Sequence, residues 1–101
     1  MSKGKLLFAA MTIAGAAASQ AVCAADAGGA IIAAQCNGCH GFEGASKGAA
    51  PALKGKPAVY LSESMKEFKS EKRKGTIMNR IAKGYSDVEL DNVAKYYSGL
   101  K

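Results

Sequence analysis

The run from Cys36 to His40 constrains this chain more than any other feature of its sequence. It reads Cys-Asn-Gly-Cys-His, a C-x-x-C-H motif, and His40 is the single histidine of the chain. Two residues between the cysteines let one tight turn present both thiols to neighbouring edges of a porphyrin, and the next residue then lies under the metal. The motif therefore predicts covalent attachment of one c-type haem through Cys36 and Cys39, with His40 as an axial iron ligand.

Other uses of this motif are less consistent with the chain. A thioredoxin-like dithiol belongs in a βαβ unit, and no segment alternates polar and apolar residues as a strand does. A structural zinc site usually needs four Cys or His ligands, whereas Cys36, Cys39 and His40 supply three. A disulfide between the cysteines would close too small a loop to stabilise much. Zinc binding and dithiol chemistry are the minor alternatives.

Residues 1–25 are predicted to be a cleaved secretory signal peptide. Lys3 and Lys5 give it a positive start, and an apolar, alanine-rich stretch follows over residues 6–18. Small residues then precede cleavage, which we expect after residue 24 or 25. The apolar stretch is short for a bilayer span, which needs about 20 residues, so an uncleaved anchor is the weaker interpretation.

Cleavage would leave residues 26–101 as one haem-binding domain. It would remove Cys23, so that both remaining cysteines are used by haem. A lipoprotein signal at Cys23 is a lesser alternative, because Gln20 and Val22 fit that pattern poorly. Covalent haem attachment takes place outside the bacterial cytoplasm, so motif and signal together predict a periplasmic location. A domain this small has a marginal core of its own, which a buried haem would complete.

The chain is basic, with a formal net charge of +6 that falls to +4 without Lys3 and Lys5. A net positive charge favours binding to nucleic acids, membrane surfaces or acidic proteins, but the sequence contains no nucleic-acid-binding motif. The charge is densest over residues 66–74. This stretch is either a solvated helix face with ion pairs one turn apart or a docking patch for an acidic protein.

Helical spacing and chain breakers predict an all-α fold. Glycines and Pro51 predict a loop over residues 41–55. Asp26 is a candidate N-cap, Pro57 suits a first helical turn, and Ser86 opens a capping box with Glu89. We expect four helices, at about residues 26–36, 57–72, 76–83 and 86–98.

The second axial ligand must come from elsewhere in the chain. Met78 is favoured because it follows the break at Gly75, where the chain can approach the distal side of the haem. Met65 lies on an apolar helix stripe, where methionine more often fills gaps. A lysine amine or an open iron site are the remaining alternatives. Pro51 and Leu53 are candidates for supporting the histidine, since a rigid loop can offer the carbonyl that its second ring nitrogen needs.

Taken together, the glycine-led first helix, the C-x-x-C-H run, Pro51-Ala52-Leu53, a ligand methionine and a last helix with paired tyrosines resemble a class I cytochrome c. The resemblance covers essentially all of residues 26–101. It implies that His40 and Met78 are the axial ligands and that the Pro51 carbonyl accepts a hydrogen bond from His40. It also implies that the first and last helices, which carry Gly29, Ile32 and Tyr97, cross.

Residues 76–87 are similar to the haem subunit of flavocytochrome c sulfide dehydrogenase, a family in which this subunit often carries two haem domains. With one C-x-x-C-H, this chain would be a single-haem version. The resemblance implies a flavin-binding partner subunit that oxidises sulfide and passes electrons to this chain. The alternative is a free carrier that shuttles electrons between membrane complexes. A gas sensor or peroxidase would need an open iron, and no catalysis by this chain alone is expected.

Overall fold

The computed structural model describes the backbone of residues 17–101 and the side chains of residues 28–101. Within those limits the secondary structure is entirely helical, which confirms the predicted all-α class. A single 3₁₀ turn, Phe42–Gly44, lies in the loop after the first helix. The four α-helices are α1 (Ala17–His40), α2 (Ala58–Lys69), α3 (Met78–Ala82) and α4 (Asp87–Ser98).

Helix α1 is longer at both ends than the sequence predicts. The backbone is helical from Ala17, the first described residue, so Asp26 lies inside α1 and is not its N-cap in the full-length chain. The alanine-rich residues before Asp26 favour helix. Helix α1 ends at His40 rather than near Cys36, so the C-x-x-C-H motif forms its last turns. Residues 1–16 of the expected signal peptide lie outside the described residues, and its cleavage stays a prediction. No helix within residues 17–101 is both long and apolar enough to cross a bilayer.

The other helices differ from expectation mainly at their ends. Pro57 is the N-cap of α2 rather than part of its first turn, and α2 stops at Lys69 because Glu71 takes a left-handed conformation with φ of 68°. Helix α3 covers only part of the predicted 76–83 segment. The capping box is confirmed: the Ser86 hydroxyl accepts from the Glu89 N–H, and the Glu89 carboxylate accepts from the Ser86 N–H.

The centre of the fold is the crossing of α1 and α4. Gly29 permits it, because a Cβ there would lie 2.7 Å from the Asn92 carbonyl oxygen and 3.3 Å from Cβ of Tyr96. The two helices approach where Gly29 is buried, as the resemblance implies. The principal cluster of buried apolar side chains joins α1, α2 and α4, and consists of Ile32, Ala33, Leu61, Val93, Ala94 and Tyr97.

Charges on α2 are balanced largely by acids of the same chain. Lys66 pairs with Asp91 at 2.9 Å and Lys69 with Asp87 at 3.0 Å, which fastens α2 to α4. Arg73 pairs with Glu67 at 2.7 Å. The basic stretch 66–74 is thus mainly a solvated face. The sequence suggests ion pairs one turn apart along α2, but two of the acidic partners lie on α4.

Replacing Gly29 with Ala tests the helix crossing. The added methyl group meets the Asn92 carbonyl, so we expect the free energy of unfolding of the haem-loaded protein to fall by about 1–3 kcal/mol. Gly28→Ala is the matched control, since a Cβ at Gly28 has no neighbour within 4 Å. Alanine there should be neutral or stabilise the helix by up to about 1 kcal/mol. Equal losses in both variants, measured by denaturant titration, would contradict the close crossing.

Candidate haem site

The last turns of α1 bring the two cysteines and the histidine together. Cys36 and Cys39 stand one turn apart and are free thiols, the first half-buried and the second exposed. Burial is the main cause that raises the pKa of the Cys36 thiol, so it is held in its protonated form. His40 is 7% exposed and closes the helix.

The His40 ring is oriented by one strong hydrogen bond. Its Nδ1 lies 2.6 Å from the Pro51 carbonyl oxygen. Because a carbonyl oxygen can only accept, Nδ1 carries the proton and donates. Nε2 then keeps its lone pair and makes no hydrogen bond to any residue in the described part of the chain. This is the contact that the resemblance implies, and it prepares the imidazole to bind a metal through Nε2.

A compact loop holds Pro51 in place. Gly44 is buried with φ of 71°, and a Cβ there would lie 2.6 Å from the Tyr97 ring, so only glycine fits. The Gly44 carbonyl accepts from the Leu53 N–H at 2.7 Å, and Lys54 pairs with Glu43 at 2.8 Å. Leu53 makes no hydrogen bond to His40 in the structure. Its side chain packs against the core, and its backbone ties the loop to the 3₁₀ turn.

The Tyr97 hydroxyl is a part of the site that the sequence did not single out. It lies 3.0 Å from the Ala33 carbonyl oxygen and 2.6 Å from Oδ1 of Asn37, which is inside the C-x-x-C-H run. Its single proton can go to only one of these acceptors at a time. Tyr97 therefore connects α4 to the turn that carries both cysteines. Helical spacing predicts a buried ring at this position, but it cannot tell what the hydroxyl reaches.

Met78 and Met65 occupy different elements. Met78 is the first residue of α3, directly after the irregular residues 70–77, and Met65 lies in the middle of α2. Both side chains are half-buried. Gly75 packs against Phe68, and a Cβ there would lie 3.4 Å from Cβ of Met78. Gly75 therefore lies close to the first residue of α3.

The residues present fit a haem. Two unpaired thiols and an imidazole with an uncommitted Nε2 are the groups that its attachment and coordination require. Within the described residues, no three His, Cys, Asp or Glu side chains are grouped so as to hold a metal ion.

Comparison with known proteins gives a consistent result. The family model described as cytochrome c matches residues 25–101. The chain is 38% identical over 72 residues to the cytochrome subunit of sulfide dehydrogenase from Chlorobaculum tepidum, a match covering 71% of this chain and 66% of that protein, just under two thirds of its length.

Two further relatives are named only as cytochromes. Cytochrome c-554(548) of Halomonas halodenitrificans is 39% identical over 69 residues, covering 62% of this chain and 81% of that protein. Cytochrome c-553 of Nitratidesulfovibrio vulgaris is 33% identical over 101 residues, covering 95% of this chain and 99% of that protein.

Replacing Tyr97 with Phe tests the link between α4 and the cysteine turn. The ring stays while two hydroxyl contacts are lost, so we expect a loss of about 1–2 kcal/mol in the free energy of unfolding at neutral pH. Tyr96→Phe is the matched control, because the Tyr96 hydroxyl makes no hydrogen bond to the described residues. Tyr96→Phe should be nearly neutral, and an equal loss in the two variants would refute the link.

Tyr97→Phe should also change how the free energy of unfolding depends on pH. Burial raises the pKa of the Tyr97 hydroxyl above its ordinary value. A raised pKa stabilises the fold below the unfolded-state value of about 10, and this contribution is lost as the pH rises beyond it. The wild type should therefore lose more stability than Tyr97→Phe above about pH 10.

Proposed function

Because this chain belongs to the cytochrome c family, whose members carry one covalent haem c, we propose that Cys36 and Cys39 form its thioethers and that His40 and Met78 bind its iron. The observation that carries this assignment is the 2.6 Å hydrogen bond from His40 Nδ1 to Pro51. It leaves Nε2 free to coordinate and raises the basicity of the ring. The chain is an electron-transfer protein, and the bound haem would take up and release one electron reversibly.

Each side chain has a defined task in this proposal. The Cys36 and Cys39 thiols each add sulfur to one vinyl carbon and hydrogen to the other, which joins the cofactor to the end of α1. His40, held by Pro51, would bind the iron through Nε2. The Met78 thioether would favour the reduced state, raise the reduction potential and leave no open position for oxygen or peroxide.

Spectroscopy of methionine variants tests the ligand set. Met78→Ala should abolish the weak far-red absorption band of sulfur bound to ferric haem. It should also lower the reduction potential by at least about 0.08 V, a tenth of the range of roughly 0.8 V over which axial ligands set it. Met65→Ala should keep the band, because Met65 is expected to fill space on α2. Loss of the band in Met65→Ala and its retention in Met78→Ala would reverse the assignment.

For the physiological role, we propose that the chain is the cytochrome subunit of a periplasmic sulfide dehydrogenase. Its flavin-binding partner would deliver electrons one at a time. The 38% identity to the Chlorobaculum subunit supports this role, and residues 1–25 would direct export. The surface near the motif also supports it: Gly38, Cys39 and Ala49 are exposed, and Phe42 is 83% exposed. Such small and apolar groups suit a stable contact with another subunit near the thioether edge of the haem.

A free electron carrier is the second candidate. The match to Nitratidesulfovibrio cytochrome c-553 spans 99% of that protein, so a chain of this size also resembles a whole small cytochrome. Such a carrier would dock transiently with membrane complexes, and the basic side chains that form no ion pair within the described residues would steer it towards acidic surfaces.

Purification from the native source at moderate salt separates the two roles. A stable apolar contact resists salt, whereas a steered transient one weakens as ionic strength rises. We expect the cytochrome to co-elute with a yellow, flavin-containing chain and to become reduced when sulfide is added. A second preparation at high salt should give the same complex. A monomer whose electron exchange with membranes slows steeply with salt would overturn the subunit proposal in favour of the carrier.

A further inference from the structure

The Asn79 side chain ties together three points of the chain between α2 and α3. Its Nδ2 donates to the carbonyl oxygens of Phe68 at 2.9 Å and Arg73 at 2.7 Å, and its Oδ1 accepts from the Gly75 N–H at 2.8 Å. Both amide hydrogens and the amide oxygen are thus used. Exchanging the oxygen and nitrogen would set an oxygen against two carbonyls, so the partners determine the orientation of the amide.

These bonds matter because residues 70–77 contain no helix or strand. Their backbone groups must find partners outside regular structure. Gly75 lies so close to Phe68 that a Cβ there would be 2.9 Å from the Phe68 ring, so the chain packs against that ring at this point. By bonding Phe68 at the end of α2 and Arg73 and Gly75 within the segment, Asn79 holds residues 70–77 against α2.

Met78 directly precedes Asn79 and begins α3. The position of its side chain therefore depends on where residues 70–77 deliver the chain. We propose that Asn79 is a positioning residue for Met78, and that its three hydrogen bonds set how readily an external ligand displaces the thioether. This inference rests on the proposed ligation by Met78. The Asn79 side chain makes no hydrogen bond to His40 or Met78; its partners are Phe68, Arg73 and Gly75.

Imidazole titration of the ferric, haem-loaded protein measures the effect. When imidazole binds, the iron–sulfur bond breaks, an iron–nitrogen bond forms, and the oxidation state does not change. Asn79→Ala loses three hydrogen bonds that water replaces in part, so imidazole should bind roughly tenfold more tightly, equivalent to about 1.4 kcal/mol. Asn79→Asp keeps the acceptor for Gly75 but turns an oxygen towards the carbonyls of Phe68 and Arg73, so its effect should be larger.

Two controls separate positioning from general stability. Asn92→Ala makes the same change at a side chain with no hydrogen bond to the described residues, and should leave imidazole affinity unchanged. Ser62→Ala removes a hydrogen bond to Asp91 on the side of α2 that faces α4. If Ser62→Ala tightens imidazole binding as much as Asn79→Ala does, the effect is global destabilisation and the inference fails.

Hydrogen exchange at the Gly75 amide keeps this test distinct from the ligand assignment. The Gly75 N–H should be protected in the wild type and exchange at least roughly tenfold faster in Asn79→Ala, whatever ligand the iron has. Unchanged exchange or unchanged imidazole affinity would overturn the role of Asn79. If Met78→Ala keeps the far-red band while Asn79→Ala still speeds exchange, the proposed ligation fails and the positioning of Met78 as a ligand falls with it.

Discussion

The contacts of Tyr97 organise the whole site. Its ring covers the buried Gly44, its hydroxyl reaches Ala33 and the motif residue Asn37, and its carbonyl accepts from the Gly55 N–H at 2.9 Å. Its side chain thus contacts α1 and the 3₁₀ turn, and its backbone holds the far end of the loop. Pro51 lies between the 3₁₀ turn and Gly55 in the chain, so Tyr97 fixes both ends of the segment whose carbonyl accepts the His40 hydrogen bond.

The small core explains why so much depends on few contacts. The principal buried cluster holds six apolar residues, and it joins α1, α2 and α4. A chain of this length buries too little surface to be more than marginally stable alone. The free thiols and the uncommitted Nε2 are groups that a haem would engage, so the cofactor would add to this small interior as well as serve as the redox centre.

Charge has a separate role from packing in this molecule. The pairs of Lys66 and Lys69 with Asp91 and Asp87 join α2 to α4 at the surface. The hydrogen bond from the Ser62 hydroxyl, and to a lesser extent that from Lys66, lowers the pKa of the Asp91 carboxyl, which keeps the carboxylate ionised. This balance leaves less of the basic stretch available for steering, while the surface around Gly38 and Phe42 carries small and apolar groups.

The sequence by itself determined the chemistry of this protein. Cys36, Cys39 and His40 are adjacent in the chain, so their common task is readable without a fold, and breakers and capping residues such as Ser86 with Glu89 predict helices because those interactions are local. Helix ends were less predictable: α1 continues to His40 rather than ending near Cys36, and α2 stops at Lys69, just before the left-handed Glu71. The tertiary structure alone decided that the Tyr97 hydroxyl reaches Asn37 and that the Asn79 amide closes residues 70–77. Those hydrogen bonds join groups that no local spacing relates, and they form only after the helices have packed.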